Sequence, residues 1–528
     1  MAVRVLCAIG AVICLGFAFG HAPAEVPQRR PSWDTRASAY DAAIPDDTIL
    51  LEQLHTASEL RRRENFDHVL DGREPGELIE HATLTEMMFE RSPIAIGTLF
   101  IVGDELFGYL FRPENGWGSG GRAERAANAY MPHPSRIHRG ESGGPDSFAC
   151  IHCHFKGGPD GAGMQTQNAF LRGDGERMAG ADQRNAPHLL GLGPVQALAT
   201  EMTMQLQRQA AKLGEQARSE GRRVEAPLAA NDVSFGTLAA NPDGSLDHRR
   251  VEGIDPDLVV RPFGWKGHQA TLRGMAEESF HLHQGLVSVP IQKAVEEGRL
   301  DGRIYRPNGA AVGSPGSEPS DLDEDGVHFE VDSGMLSTMV GYLSQLEVPV
   351  IRPPRDPGLL DAFAEGRARF ETLGCAGCHV PTLALGTPLV DARAEPGVEP
   401  KGPVLVVNVA KDGDGPKIEP KYAGPNTPYL VHLFSDLKRH DMGPDLATPE
   451  PQGTIPASVF LTRSLWGLAE TAPYLHDGRA PTVHDAIVLH GGEAAGARDA
   501  YLALAEPERA AVRVFLMSLS RQPKLFVP

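Results

Sequence analysis

The chain has 528 residues, enough for two domains or one large domain with insertions around a sizeable buried core. Its 41% hydrophobic and 23% charged content is that of a soluble globular protein. A net charge of −19 argues against nucleic acid and anionic membrane surfaces as partners, and suits a partner with a basic docking face.

Residues 1–20 read as a secretory signal. Arg4 supplies the positive start, Val5 to Phe19 is an apolar run, and Ala18-Phe19-Gly20 offers small residues for cleavage. A retained membrane anchor is the rival reading, but the run is short for a span. Cys7 and Cys14 leave with the signal, and no other segment is apolar enough to span, so the mature chain is expected to have no membrane span. Residues 21–85 form a polar N-terminal extension, with a charged patch at Leu60–Glu64 that reads as a solvated face.

A first unit is expected over residues 86–348. It opens the chemistry with Cys150-Ile151-His152-Cys153-His154, and Cys375-Ala376-Gly377-Cys378-His379 repeats the pattern in a second unit, residues 349–528. Two thiols three residues apart on a helical turn can each add to one vinyl group of a haem, and the next histidine then ligates the iron. Zinc is the rival reading but needs a second ligand pair nearby, and a redox pair has no use for the trailing histidine. The two segments use every cysteine beyond position 14. Two covalently bound c-type haems are therefore expected, with Cys150, Cys153, Cys375 and Cys378 as attachment points and His154 and His379 as iron ligands. Such haems are attached outside the bacterial cytoplasm, which agrees with export to the periplasm.

Between these motifs, periodicity predicts helices over Pro194–Lys212 and Gly334–Leu346, and the aromatic-glycine stretch Phe263-Gly264-Trp265 precedes another amphipathic segment. Residues 307–332 read as a Pro/Gly/Ser/Asp-rich loop. Within it Asp321, Asp323 and Asp325 with Gly326 have calcium-loop spacing, and Asp332 stands where a bidentate glutamate is usual, so Ca2+ is a candidate cofactor. Such acidic loops are more often simply solvated. Pro349–Pro357 reads as a linker. The second unit is expected to carry a helix over Leu359–Phe370, a short β excursion at Val404–Val409 and a terminal helix over Glu506–Leu519. The fold class is mainly α, two haem units with long irregular loops and a little β, in keeping with 58 glycines and 43 prolines.

The two units share a weak internal likeness. Arg184–Leu192 and Arg463–Leu468 are both arginine-led. Trp265-Lys266-Gly267 precedes Thr271-Leu272 as His476-Asp477-Gly478-Arg479 precedes Thr482-Val483. This points to a duplicated unit.

At Cys375–His379, His440-Asp441-Met442-Gly443-Pro444 and Thr471–Arg479 the chain resembles the bacterial di-haem cytochrome c peroxidase/MauG superfamily, and more closely its di-haem oxidoreductase branch. Phe263–Lys266 and Ile487–Ala494 resemble that branch too. The resemblance implies two cytochrome c-like domains, one haem accepting electrons and the other meeting an oxidant. It implies a tryptophan relay at Trp265, and a distal ligand for the second haem at His490, with Met442 as the competing donor. It also places His476 at the haem edge. Arg463 and Arg479 are propionate candidates, because a guanidinium pairs well with a carboxylate.

For the first haem the segment after Trp265 carries His281 and His283 as possible distal ligands and Glu277 and Glu278 as candidate proton carriers, since peroxide cleavage needs an acid/base group. The glutamine that the resemblance implies is replaced by Met275. The expected function is an exported, peroxidase-like di-haem oxidoreductase. A small cytochrome c or cupredoxin would donate electrons, and a small-molecule oxidant such as peroxide would accept them. An O2-dependent oxygenase and a pure electron-transfer cytochrome are the alternatives.

Overall fold

The structure is a computed structural model and describes residues 96–118, 136–138, 141–143, 147–164, 183–300, 321–322, 326–328, 330–392, 406–424 and 427–522. The expected signal and N-terminal extension, Asp323, Asp325 and most of the 307–332 loop lie outside the described residues. Among those described the fold is mainly α with some β, as expected. Its helices are α1 (Ile96–Gly108), α2 (Leu192–Glu220), α3 (Leu272–Ser279), α4 (Val289–Glu296), α5 (Ser333–Gln345), α6 (Pro357–Thr372), α7 (Val483–Val488), α8 (Ala495–Ala503) and α9 (Glu506–Leu516). No helix among these residues is long and apolar enough to cross a membrane.

Among the described residues two large packed clusters stand beside a small one of Val287, Ile291, Val295 and Leu322. The larger gathers α1, α2, α3 and α5 with the strands of residues 224–240 and several short strands between 383 and 437. Helix α5 is buried from Gly334 to Gln345 and accordingly carries no charged side chain. It lies against α1 at close range because Gly103 has no side chain: a Cβ there would stand 2.3 Å from the Cβ of Tyr342. An alanine at 103 would force the helices apart, at a cost of about 1–3 kcal/mol. Helix α2 outruns its expected limits at both ends and packs on a hairpin, Val224–Ala230 with Val233–Ala240. The hairpin turn is Asn231-Asp232, both at positive φ (46° and 65°), as a two-residue turn of matching twist requires.

The second large cluster centres on α6 and α9. Asp356 caps α6 by accepting from Gly358 and Leu359 N–H. Gly366 lets α9 approach, since a Cβ there would meet the Ala511 carbonyl oxygen at 1.9 Å. Phe515 then packs on Phe363, Phe370 and Phe434 with ring centroids 5.8, 5.4 and 6.0 Å away.

Two sequence expectations change here. The Pro349–Pro357 stretch is not a free linker: Val350–Ile351 pairs antiparallel with Leu519–Ser520, which ends the terminal helix at Leu516 rather than Leu519. The β excursion is a strand over Val406–Asn408, paired with Leu389–Asp391.

The internal likeness has a structural counterpart. An isolated antiparallel bridge joins Phe263 to Gln269, and another with the same spacing joins Tyr474 to Ala480. Each encloses a positive-φ glycine, Gly267 (61°) and Gly478 (71°). Each is followed by a threonine N-cap, Thr271 before α3 and Thr482 before α7. Trp265 and His476 therefore occupy equivalent places in the two turns.

Candidate functional site

Both Cys-x-x-Cys-His segments form a single 3-10 turn, Cys150–His152 and Cys375–Gly377, and among the described residues no disulfide joins either pair. Burial pushes the Cys150 thiol up to about 12 and the Cys375 thiol up to about 11. Thiols held protonated in this way are the opposite of an activated redox pair. Cys378 does lie with Asp436 and His440 in a cluster of possible metal donors. His440, however, is already taken by two carboxylates, with Nε2 2.8 Å from Asp436 and Nδ1 2.7 Å from Glu493.

The histidine that closes each motif is oriented the same way. His154 Nδ1 donates to the Pro187 carbonyl at 3.0 Å and lies 3.3 Å from the Gly161 carbonyl; His379 Nδ1 donates to the Phe434 carbonyl at 3.1 Å. Carbonyl oxygens only accept, so Nδ1 carries the proton and Nε2 is left as the basic nitrogen, the arrangement of a metal-ligating imidazole. Burial lowers both rings to about 4, keeping them neutral.

His490 lies beside the second motif. Its Nδ1 donates to the Ala486 carbonyl at 2.7 Å, one turn back along α7, and burial lowers its pKa. Its ring lies 6.4 Å, centroid to centroid, from that of His379. Two metal–nitrogen bonds of about 2 Å plus roughly 1.1 Å from each nitrogen to its ring centre give about 6.2 Å. The pair is spaced to grip one iron. The competing donor Met442 sits on the neighbouring segment, where its carbonyl oxygen would be 2.8 Å from a Cβ on Gly491.

Around the first centre the polar residues come from an unusual turn. Phe280–Gln284 continues α3 as a π-helix, a geometry frequent at functional sites. It brings His283 close enough to help depress the His154 pKa, and sets the Gln284 amide 3.7 Å from Cys150 Sγ. The Gln284 side chain is buried, and its Oε1 has no hydrogen-bond partner among the described residues. His281 is buried in the same turn. Glu278 receives hydrogen bonds from His268 Nε2 (2.7 Å) and Gln269 (2.8 Å), whereas Glu277 receives one from Ser288. His268 is a residue that sequence reasoning missed.

Trp265 Nε1 donates to the Asn185 carbonyl at 2.7 Å, and Asn185 N–H donates to the His476 carbonyl at 2.7 Å. The Arg463 guanidinium lies 5.3 Å over the Trp265 ring. Among the described residues Arg463 has no carboxylate partner, and desolvation lowers it to about 10. A buried guanidinium in that condition calls for an anion, and a haem propionate supplies one. Arg479 instead bonds Asp477 and the Asp445 carbonyl. His476 is buried, packed 4.7 Å from Phe460, and lowered to about 3 by burial. His188 was also missed: it lies between His154 and Arg463 and is lowered to about 3, chiefly by burial. Of the calcium-loop candidates, Asp321 accepts from Gly326 N–H and Asp332 caps α5 by accepting from Met335 N–H. Asp332 is thus already committed to a helix terminus.

Both centres therefore fit a haem: paired thiols, a tautomer-fixed histidine, and for the second an opposed imidazole. Residues 426–519 match the family described as "Di-haem oxidoreductase, putative peroxidase", which supports haem as cofactor and oxidoreduction as the chemistry. Among solved structures, hydrazine synthase from Kuenenia stuttgartiensis, pressurised with xenon, is similar over 84% of this chain and 92% of its own, at 14% identity and a TM-score of 0.31. No curated protein matches.

Proposed function

We propose that this chain, a relative of the di-haem oxidoreductases over residues 426–519, is an exported di-haem c-type oxidoreductase of peroxidase-like function. Two cytochrome c-like units would hold one haem each, through Cys150 and Cys153 and through Cys375 and Cys378. Such haems, when bound, supply one-electron redox chemistry, and an iron with a vacated position can activate peroxide.

The observation that carries the reading is the opposed pair His379 and His490, 6.4 Å apart between ring centres and each fixed through Nδ1. Two imidazoles on one iron close it to substrate and lower its potential relative to histidine/methionine ligation. That supports a role for the second centre in receiving electrons from an external donor, a small cytochrome c or cupredoxin. Trp265 bridges towards the first centre, held by Asn185 and covered by Arg463. Arg463 would hold a propionate of the bound haem, and His476 stands at the equivalent place in the second turn.

The first centre is the site of oxidant reduction. His283, which would cap the iron there, rides on a π-helical turn, a geometry frequent at functional sites. Glu278, oriented by His268 and Gln269, moves the proton that O–O cleavage requires, and Gln284 supplies an amide towards the bound oxidant.

Replacing both Cys375 and Cys378 with alanine tests the attachment. Intact-mass measurement should find one covalent haem where the parent has two. Two haems remaining would remove the basis of the proposal.

A further inference from the structure

We propose that Tyr342 is a one-electron donor to the centre at His154, with Asp160 as the acceptor of its phenolic proton. The inference rests on the peroxidase-like reading of that centre.

Three observations converge on this tyrosine. First, it is connected. The Tyr342 ring lies 5.5 Å from that of Phe107, and Phe107 lies 6.0 Å from the His154 imidazole. Both spacings are those of packed aromatic pairs, so three rings run without a gap from α5 to the iron-ligating side chain. Second, it has a base. Tyr342 Oη donates to Asp160 Oδ1 at 2.5 Å, and Asp104 Oδ1 stands 3.0 Å away. Asp160 belongs to the loop that follows the first haem motif, and the next residue, Gly161, offers its carbonyl to His154 Nδ1 at 3.3 Å. Third, it is dry. Tyr342 is 1% and Asp160 4% exposed.

Together these are the conditions for reversible phenol oxidation. A neutral phenol that loses an electron becomes a strong acid, so oxidation is accessible only where a base takes the proton in the same event. A short hydrogen bond to a carboxylate meets that need. Exclusion of water then protects the radical from side reactions. Tyr342 is placed by backbone design rather than by chance packing, because Gly103 on α1 clears the space its Cβ occupies.

The step balances as follows. Peroxide is the oxidant: its reduction to water takes two protons from solvent and two electrons from the first centre, of which a bound haem would supply one and Tyr342 the other. Tyr342 gives that electron through Phe107, and its O–H bond breaks. The proton forms the O–H bond of the Asp160 carboxylic acid. When an electron later arrives from the external donor, the tyrosyl radical is reduced and the proton returns from Asp160. The residue would thus hold an oxidising equivalent whenever peroxide arrives before the second centre has been reduced.

The test uses holoprotein with both haems ferric. Samples mixed with hydrogen peroxide are frozen at successive times for electron paramagnetic resonance, beside the variants Tyr342→Phe and Asp160→Asn. The expected result is an organic radical signal whose hyperfine structure collapses with ring-deuterated tyrosine, a label that leaves the fold untouched. That signal should be lost in Tyr342→Phe at unchanged haem content, and diminished in Asp160→Asn, whose amide cannot take the proton. Flash-quench oxidation with tris(bipyridine)ruthenium(III) repeats the measurement without peroxide chemistry. A Tyr342-dependent radical by flash-quench alone upholds the tyrosine's role and overturns the peroxide reading. A radical that survives Tyr342→Phe unchanged, or no tyrosyl radical by either route, overturns the proposal.

Discussion

The imidazoles of His379 and His490 lie with ring centres 6.4 Å apart and planes tilted by 50°, each pinned through Nδ1 to a backbone carbonyl. Both rings are anchored by the fold, so a metal binding here would meet a preorganised pair. His490→Ala should open one axial position and turn the second haem from low spin to high spin in the ferric absorption spectrum. An unchanged low-spin spectrum would pass the role to Met442.

Trp265 is tied to Asn185 by its indole N–H and lies beneath Arg463. Trp265→Phe keeps an apolar ring but loses the donor and part of the π-surface. Electron transfer between the haems, followed after rapid reduction of the second, should slow severalfold while haem content stays at two. An unaltered transfer rate would leave Trp265 as a packing residue only.

Arg521 joins the end of the chain to the first haem loop. Its guanidinium pairs with Glu347, both side chains under 10% exposed, and donates to the Gly157 and Pro159 carbonyls. Arg521→Met leaves Glu347 and two carbonyls without that cation. Breaking a buried pair from one side costs about 3–5 kcal/mol, so denaturant unfolding should shift by that amount. A change below about 1 kcal/mol would mean that the pair is compensated elsewhere.

Burial raises the Glu470 carboxyl to about 7, against the opposing pull of its bonds from Ser520 and Arg521 N–H. Its folded pKa thus lies above the unfolded value. The associated stability is present in full below the unfolded pKa and is lost as pH rises through about 7. Glu470→Gln should therefore raise the melting temperature relative to the parent at pH 8 and not at pH 4.5. An equal shift at both pH values would contradict the assignment.

The sequence exposed what depends on local pattern. The two haem motifs and the helices around Gly334–Leu346 and Leu359–Phe370 follow from spacing and apolar period, and the structure places α5 and α6 within two residues of them. The hairpin of residues 224–240 was hidden because its first strand is rich in alanine and contains Pro227; the Asn231-Asp232 turn was the one signal for it. The π-helical turn at Phe280–Gln284 has no period of its own to read. Tyr342, Phe107 and Asp160 come together from three separate segments, as do His188, His154 and Arg463, and no local spacing encodes such encounters. Asp332 shows the converse: a residue that fits a metal-loop pattern is committed to capping a helix.

The central claim is that the two haem centres are unequal, the second closed by His379 and His490 and the first available to an oxidant. Stopped-flow absorption of the half-reduced holoprotein mixed with hydrogen peroxide tests it most directly. The expected result is rapid spectral change at the haem attached through Cys150 and Cys153, followed by oxidation of the other, with His490→Ala altering only the second phase. Two low-spin haems that remain unchanged by peroxide at every redox level would contradict it.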